Sequence, residues 1–575
     1  MGISAHEETL LQLLFNMTIY EVPIYQRNYA WEADQTSALW EDVMRTAQGT
    51  DAYFLGSMVF VKTDQSNVFQ VLDGQQRFAT LLLLMAAFRD TLKEKSPDSP
   101  FVTTVQTTLA TMDLTGHVVP RLRLNDRDRS YFEPIALSSA PASPKFGSHK
   151  LLSKTYDSFK SRLLALVVEG GQDPNMLWTA LMQTFAERLY VIRIEVDDIE
   201  SAQQIFEALN SAGLDLTQAD LIKNYILREV PPHAVKDAYL TWQAIADTVE
   251  EDTALTSYIR VNWNSTYGFA RKAELYKRIK ERVTSPALES GQVSPETFVS
   301  HLDNEVKSWL AIRDANIVAP ANIAPQLRQD LSDLRSFNAV LVHVPLLAIR
   351  SLTSDAPSNF ALAARWMRDF FVRHTIVGRR AANEIEIRFS EWARMLRDGS
   401  MSLQSFFEEL RRQSPTDDQF EEEFKALTIR TQRTARVILA RINDHVNPDN
   451  VISQTMTEGG SVHLEHIIPQ QPTEEGWGAT LADFRDVGLD HEDILNNIGN
   501  LTLLRPRDNI GIGNSSFLER RVAYEALDDS GVPHPAPINE MLTDLEQFGP
   551  MELEKRQAWL AAQARVTWPL TESGH

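Results

Sequence analysis

Val462-His-Leu-Glu-His-Ile-Ile-Pro-Gln470 is the stretch on which the reading of this chain turns, together with Ile498-Gly-Asn-Leu-Thr-Leu-Leu-Arg-Pro-Arg-Asp-Asn509. Phosphodiester hydrolysis needs a base for the attacking water and positive charge on the phosphate oxygens. The adjacent pair Glu465-His466 supplies an oxygen ligand for a hard cation and an imidazole suited to neutral pH. Asn509 offers a second, neutral oxygen. So few protein ligands leave positions free for water and phosphate, as catalytic Mg2+ or Mn2+ requires. His463 shares a strand face with Glu465, whereas His466 faces oppositely in an ideal strand. An alternative reading puts His463 on the metal, favouring a softer ion such as manganese or nickel.

Upstream of these words, Arg430, Arg433 and Arg436 fall at helical spacing. They read as a basic strip on one long charged helix over 419–442, a candidate for DNA-backbone contacts. The Arg-rich stretch Phe371–Asn383 reads as helix end and turn. The middle, from about Pro231 to Asp398, is mainly helical in pattern, with Pro345 expected to kink or break a helix over 336–350. Pro134–Pro144 and Val318–Pro325 read as loops.

The first part mixes strands and helices. Tyr53–Val61, Val68–Leu72 and Leu189–Val196 are short and rich in β-formers. A helix starts at Gln75, straight from the turn Asp73-Gly74. Ser201–Leu209 is helical in pattern, Asn210–Gly213 breaks it, and Thr217 caps a further helix to Leu227. In the word Asp73-Gly-Gln-Gln-Arg77, Gly74 allows close backbone approach and the helix N-terminus and Arg77 attract phosphate. A capped helix with a surface arginine explains the word equally well. No G-x-x-x-x-G-K-[ST] word occurs, so a P-loop is excluded. Pro23-Ile-Tyr-Gln-Arg-Asn-Tyr-Ala-Trp31 clusters aromatics around Gln26 and Arg27.

Composition bounds the classes. The chain has 575 residues, enough for about three domains. It contains no cysteine, which excludes disulfides, thiolate nucleophiles and Cys-ligated zinc. The net charge of −22 means that any DNA site is a local basic groove on an acidic body. No secretory signal or membrane-spanning run is legible, so a cytoplasmic protein is expected.

The C-terminal words resemble the HNH (ββα-metal) nucleases. The resemblance makes Glu465 and Asn509 the metal ligands, His466 the general base, and Asn500 the residue that braces the hairpin loop. The 34 residues from His466 to Asn500 exceed a minimal hairpin, so Trp477–Asn497 is expected to loop out. More narrowly, EHIIPQ, IGNLTLL and the N-terminal words resemble GmrSD-type (BrxU/SspE-like) modification-dependent restriction enzymes. That resemblance implies a ParB/sulfiredoxin-like N-terminal domain. It assigns Gln26, Arg27, Asp73, Gly74, Gln75, Gln76, Arg77, Lys223 and Asn224 to a nucleotide (GTP, ATP or CTP). It assigns Tyr25, Tyr29 and Trp31 to sensing modified DNA, such as phosphorothioated or glucosylated DNA, although aromatics at this spacing also serve as core.

The expected fold class is therefore α+β and predominantly helical. The expected domains are a ParB/sulfiredoxin-like α/β domain at 1–230, a helical transmission domain at 231–400 and an HNH nuclease domain at 401–575. The expected function is nucleotide-regulated, metal-dependent cleavage of modified double-stranded or phage DNA, with NTPase activity in the first domain. One HNH site cuts one strand, so double-strand breaks need a homodimer or two events. The rivals are an NTP-hydrolysing switch with a degenerate HNH site and a DNA-binding sensor.

Overall fold

The computed structural model describes residues 3–24, 26–65, 67–138, 143–169, 174–197, 217–249, 252–284, 291–314, 324–353, 356–448, 462–504, 513–525 and 536–570. The Ser201–Leu209 helix, the Asn210–Gly213 break, Tyr25 and Asn509 lie outside the described residues. The chain is mainly helical with a mixed sheet. Its contacts divide it into two units, residues 1–242 with 282–296, and residues 243–281 with 297–575.

The first unit is built on strands β1 (Ile3–Thr9), β2 (Ile19–Glu21), β3 (Tyr53–Lys62), β4 (Val68–Asp73), β7 (Leu122–Arg123) and β8 (Leu189–Val196). They form one sheet in the order β1-β8-β3-β4-β2-β7. A separate two-stranded ribbon pairs β5 (Ala110–Met112) with β6 (Val118–Pro120). β1 was not legible as a strand, because its sequence ISAHEET is polar. It pairs antiparallel with β8 at the sheet edge, where charged side chains discourage further pairing.

Alternation in β3 gives the sheet two apolar faces. Met58 and Phe60 face the Gln75–Lys95 helix, whose residues Leu81 to Phe88 are all buried. An apolar run with no polar face must be covered all round, and the helices Phe101–Leu109 and Gly147–Glu169 supply that cover. Val59, Val61, Leu72 and Val196 face the other way, towards Leu221 on the helix Gln218–Glu229. Thr217 caps that helix in a box with Asp220. Pro134 lies inside the helix Asp126–Ala136 and not in a loop.

The second unit is helical around one two-stranded ribbon. Pro345 neither kinks nor ends a helix. It sits in the first turn of His343–Leu352, where its missing N–H has no intrahelical partner to lose. The expected helix over 419–442 is two helices, Asp417–Lys425 and Gln432–Val446. Between them the chain is extended, and Ile429 N donates to Asn496 O at 2.8 Å while Ile498 N donates to Leu427 O at 2.8 Å. This tertiary pairing outcompetes helix continuation. The Arg-rich stretch after Phe371 is a π-helical turn, Val372–Val377. Its buried Arg373 donates to Trp568 O at 3.0 Å and Asp417 Oδ1 at 2.6 Å, and Arg380 holds Glu423 through two bonds of 2.9 and 3.0 Å. These arginines brace helices. Among the described residues, no helix is long and apolar enough to cross a membrane.

Candidate functional site

Strand β9 (His463–His466) pairs antiparallel with β10 (Leu501–Leu504), setting Leu501 opposite His466 and Thr502 opposite Glu465. The connection does not simply loop out. It folds as the helices Glu474–Asp486 and His491–Leu495, with Trp477 buried and its Nε1–H donating to Ser515 O at 2.9 Å. Ile467, Ile468, Trp477, Phe484 and Ile494 share one core with Phe517 and Tyr524 of the helix Phe517–Glu525.

Asn500 is fully buried and commits its amide to the backbone. Its Oδ1 accepts from Ile468 N at 2.8 Å, and its Nδ2 donates to Ile468 O at 3.2 Å and Leu495 O at 3.1 Å. It therefore locks the chain leaving β9 to the chain entering β10. An amide that replaces a ladder in this way is costly to remove, because it leaves several buried groups unpaired.

The residue missed in the sequence reading is Arg520. It is fully buried, and its Nη2 donates to Glu465 Oε1 at 2.7 Å and to His466 O at 2.6 Å. One guanidinium thus fixes both the carboxylate and the strand that carries it. Its only signal in sequence was its place in the polar Arg520-Arg521 pair after the second word. Glu465 Oε2 takes no hydrogen bond from a described residue, so the carboxylate offers one oriented oxygen. A hard divalent cation fits this donor chemistry: one fixed carboxylate oxygen, with Asn509 outside the described residues. Among the described residues, no group of three or more His, Asp or Glu side chains forms a metal cage. His463 is exposed.

His466 is 8% exposed. Burial pulls its imidazole below the ordinary histidine range, with Arg520 and His491 adding to that. The Glu465 carboxylate and a hydrogen bond with Asn496 work against it. The ring is therefore held towards its neutral, proton-accepting form. Of the basic strip, Arg430 is exposed but precedes the helix, Arg433 is exposed on its first turn and Arg436 is half-buried.

The N-terminal words meet at the start of the Gln75–Lys95 helix. Gly74 adopts φ +82°, and a Cβ there would lie 2.8 Å from Met58 Cγ, so the turn requires glycine. No side chain caps this helix. Gln26, Gln75 and Gln76 are buried. Gln26 Nε2 donates to Leu72 O at 2.9 Å, and Gln75 Nε2 donates to Gln26 Oε1 at 3.1 Å. Gln76 accepts from Ala30 N at 2.8 Å and donates to Asn28 O at 3.1 Å. The three amides pin the 26–30 segment to the turn.

Asp73, Arg77 and Arg27 interact electrostatically. Burial raises the Asp73 carboxyl above its usual range, against the pull of the Gly74 N–H and the two guanidiniums. Arg77 lies across Gly56, where a Cβ would sit 2.6 Å from Nη1. Gly56, in the middle of a strand, marks that close approach. The residues fit a phosphate-bearing ligand: two guanidiniums beside an uncapped helix start. Lys223 is buried 3.6 Å from Asp220, and Asn224 is half-buried on the same helix. Tyr29 is a core residue, 4% exposed, with its hydroxyl 2.8 Å from Thr80 Oγ1. Trp31 is half-buried against the same core.

Comparison with known proteins adds two matches. The family described as GmrSD restriction endonuclease, N-terminal domain, matches residues 10–227. The family described as GmrSD restriction endonucleases, C-terminal domain, matches residues 414–563. A search of curated proteins gave no match. The two matches fall on the two motif clusters in the expected order and together span more than half of the chain. With both domains in one polypeptide, the chain belongs to the GmrSD-type restriction endonucleases.

Proposed function

We propose that this restriction endonuclease is a nucleotide-regulated, metal-dependent nuclease of HNH (ββα-metal) type that cleaves modified or phage DNA in antiphage defence. The observation that carries the reading is the β9–β10 ribbon. It presents a carboxylate fixed by Arg520 beside an imidazole held neutral by burial, on a turn locked by Asn500.

In this reading His466 accepts the proton of the attacking water. Glu465 and Asn509 would hold magnesium or manganese, which would supply positive charge to the phosphate oxygens. Arg520 keeps the Glu465 carboxylate aimed, and Asn500 keeps the strand carrying both residues in place. Arg430, exposed beside the extended 427–429 segment, contacts the DNA backbone. A ParB/sulfiredoxin-like domain at 1–230 binds GTP, ATP or CTP through Arg27, Arg77 and the Gly74 turn. The buried glutamines set that turn's geometry. Trp31 and Tyr25 read the modification, and the helices of 231–400 transmit the nucleotide state to the nuclease domain at 401–575.

The test uses plasmid DNA that is unmodified, phosphorothioated or glucosylated, with Mg2+ or Mn2+ and each NTP. Cleavage of one substrate class is expected, lost in His466→Ala while NTP hydrolysis persists. NTP hydrolysis without cleavage of any substrate would replace this reading with the switch.

A further inference from the structure

A neutral imidazole carries one N–H and one lone pair, so it accepts a proton in one direction only, set by whatever holds the N–H. Arg520 and Asn500 fix the strand that carries His466 but do not hold its ring. Arg520 donates to the His466 carbonyl, and Asn500 bonds to the backbone of Ile468 and Leu495. Of the described side chains that act on the ring, Glu465, Arg520 and His491 do so by charge, and Asn496 does so through a hydrogen bond. His491 spends its Nε2 on Pro469 O at 2.9 Å.

The surroundings of Asn496 hold it still. It is half-buried at the end of the helix His491–Leu495. Its carbonyl accepts from Ile429 N at 2.8 Å, and its neighbour Asn497 bridges to Thr428. The Asn497 side chain accepts from Gly499 N at 2.8 Å and from Gln557 Nε2 at 2.9 Å. The 427–429 segment is anchored in turn, because Arg379 Nη2 donates to Thr428 O at 2.8 Å. An amide on a backbone braced from both sides has little freedom left to lose when it takes a partner. It faces a ring on a strand that Arg520 also braces. Two fixed segments thus meet at one side-chain contact, which is how a supporting residue holds a reactive group in a single geometry.

We propose that Asn496 is a positioning residue for His466: its amide oxygen accepts the ring N–H and leaves the lone pair of the opposite ring nitrogen for the attacking water. This rests on His466 being the base of the proposed nuclease. The connection between β9 and β10 is then part of the active site and not a spacer, since its last turn delivers the acceptor.

The test has two arms on the full chain. In the first, histidine is isotope-labelled and the ring nitrogens are read by NMR at neutral pH without metal, the His466 signals being those missing from His466→Ala. In the second, kcat and KM are measured for DNA cleavage. Asn496→Leu and Asn496→Ala remove the acceptor, Asn496→Asp keeps an oxygen in its place, and melting temperatures verify the fold. The wild-type ring is expected in one tautomer, and the leucine and alanine variants in a mixture of two. In those two variants kcat is expected to fall at least about tenfold with KM unchanged, and Asn496→Asp to restore most of it. The proposal is overturned by a ring whose tautomer is the same with and without the amide, or by a kcat loss of equal size in all three variants. Either result would make Asn496 a structural part of its turn. A wild-type chain that cuts no DNA would sink the nuclease reading instead, and the ring signals would still decide whether Asn496 holds His466.

Discussion

The two motif clusters use the same device to opposite ends. At the Asp73–Arg77 turn, three glutamine amides are spent on backbone and on one another, and two guanidiniums act on the Asp73 carboxyl. At the β9–β10 ribbon, one asparagine amide and one guanidinium are spent, and a carboxylate and an imidazole remain. In the proposed function the first would present cations to phosphate, and the second a metal ligand and a base. In both, buried amides and guanidiniums build the geometry, and the proposed function assigns the chemistry to the residues that they hold. A motif word therefore mixes two kinds of residue, and substitutions separate them.

The largest expected effect is on cleavage. His466→Ala removes the base and lowers the cleavage rate roughly 10²–10⁴-fold with the fold intact, read by plasmid cleavage beside circular dichroism. A variant that cuts normally would break the comparison, because the ribbon would then be scaffold only. Next is Arg520→Met, which leaves the half-buried Glu465 carboxylate and the His466 carbonyl without their donor. It is expected to destabilise the second unit by about 3 kcal/mol in urea unfolding and to weaken Mn2+ binding measured directly. Unchanged Mn2+ affinity would reduce Arg520 to a packing role.

Asn500→Ala is expected to cost about 3 kcal/mol, because three backbone groups lose their partner. Gln76→Ala, with two backbone bonds, is expected to cost about 2 kcal/mol. Urea midpoints in the reverse order would show that the N-terminal turn, not the ribbon, is the more rigidly braced. The smallest effect has the opposite sign. Burial raises the Asp73 carboxyl in the folded chain, so its contribution is favourable below the unfolded carboxylate range and is lost as pH rises through the raised value. Asp73→Asn is therefore expected to raise the melting temperature by about 1–2 °C at neutral pH and to make no difference in acid. A fall at neutral pH would mean that the paired guanidiniums outweigh burial.

Sequence alone identified the family, the mainly helical class, three strands of the N-terminal sheet, the helix start at Gln75 and the Thr217 cap. These are local: period, turn chemistry and capping lie within a few residues of each other. It also brought Glu465 and His466 together, since they are neighbours in the chain. Tertiary structure decided the rest. The helix expected over 419–442 breaks because 427–429 finds extended partners at 496–498. Pro345 sits in the first turn of a helix because the chain turns at 337–338 and a new helix starts at His343. Tyr29 belongs to the core because Thr80 and the apolar residues around it close over its ring. Arg520 reaches Glu465 across 55 residues, and no local pattern encodes that distance. Local propensities are worth tenths of a kcal/mol per residue, whereas satisfying a buried polar group is worth several times more. Where the two conflicted, the long-range hydrogen bond or ion pair won.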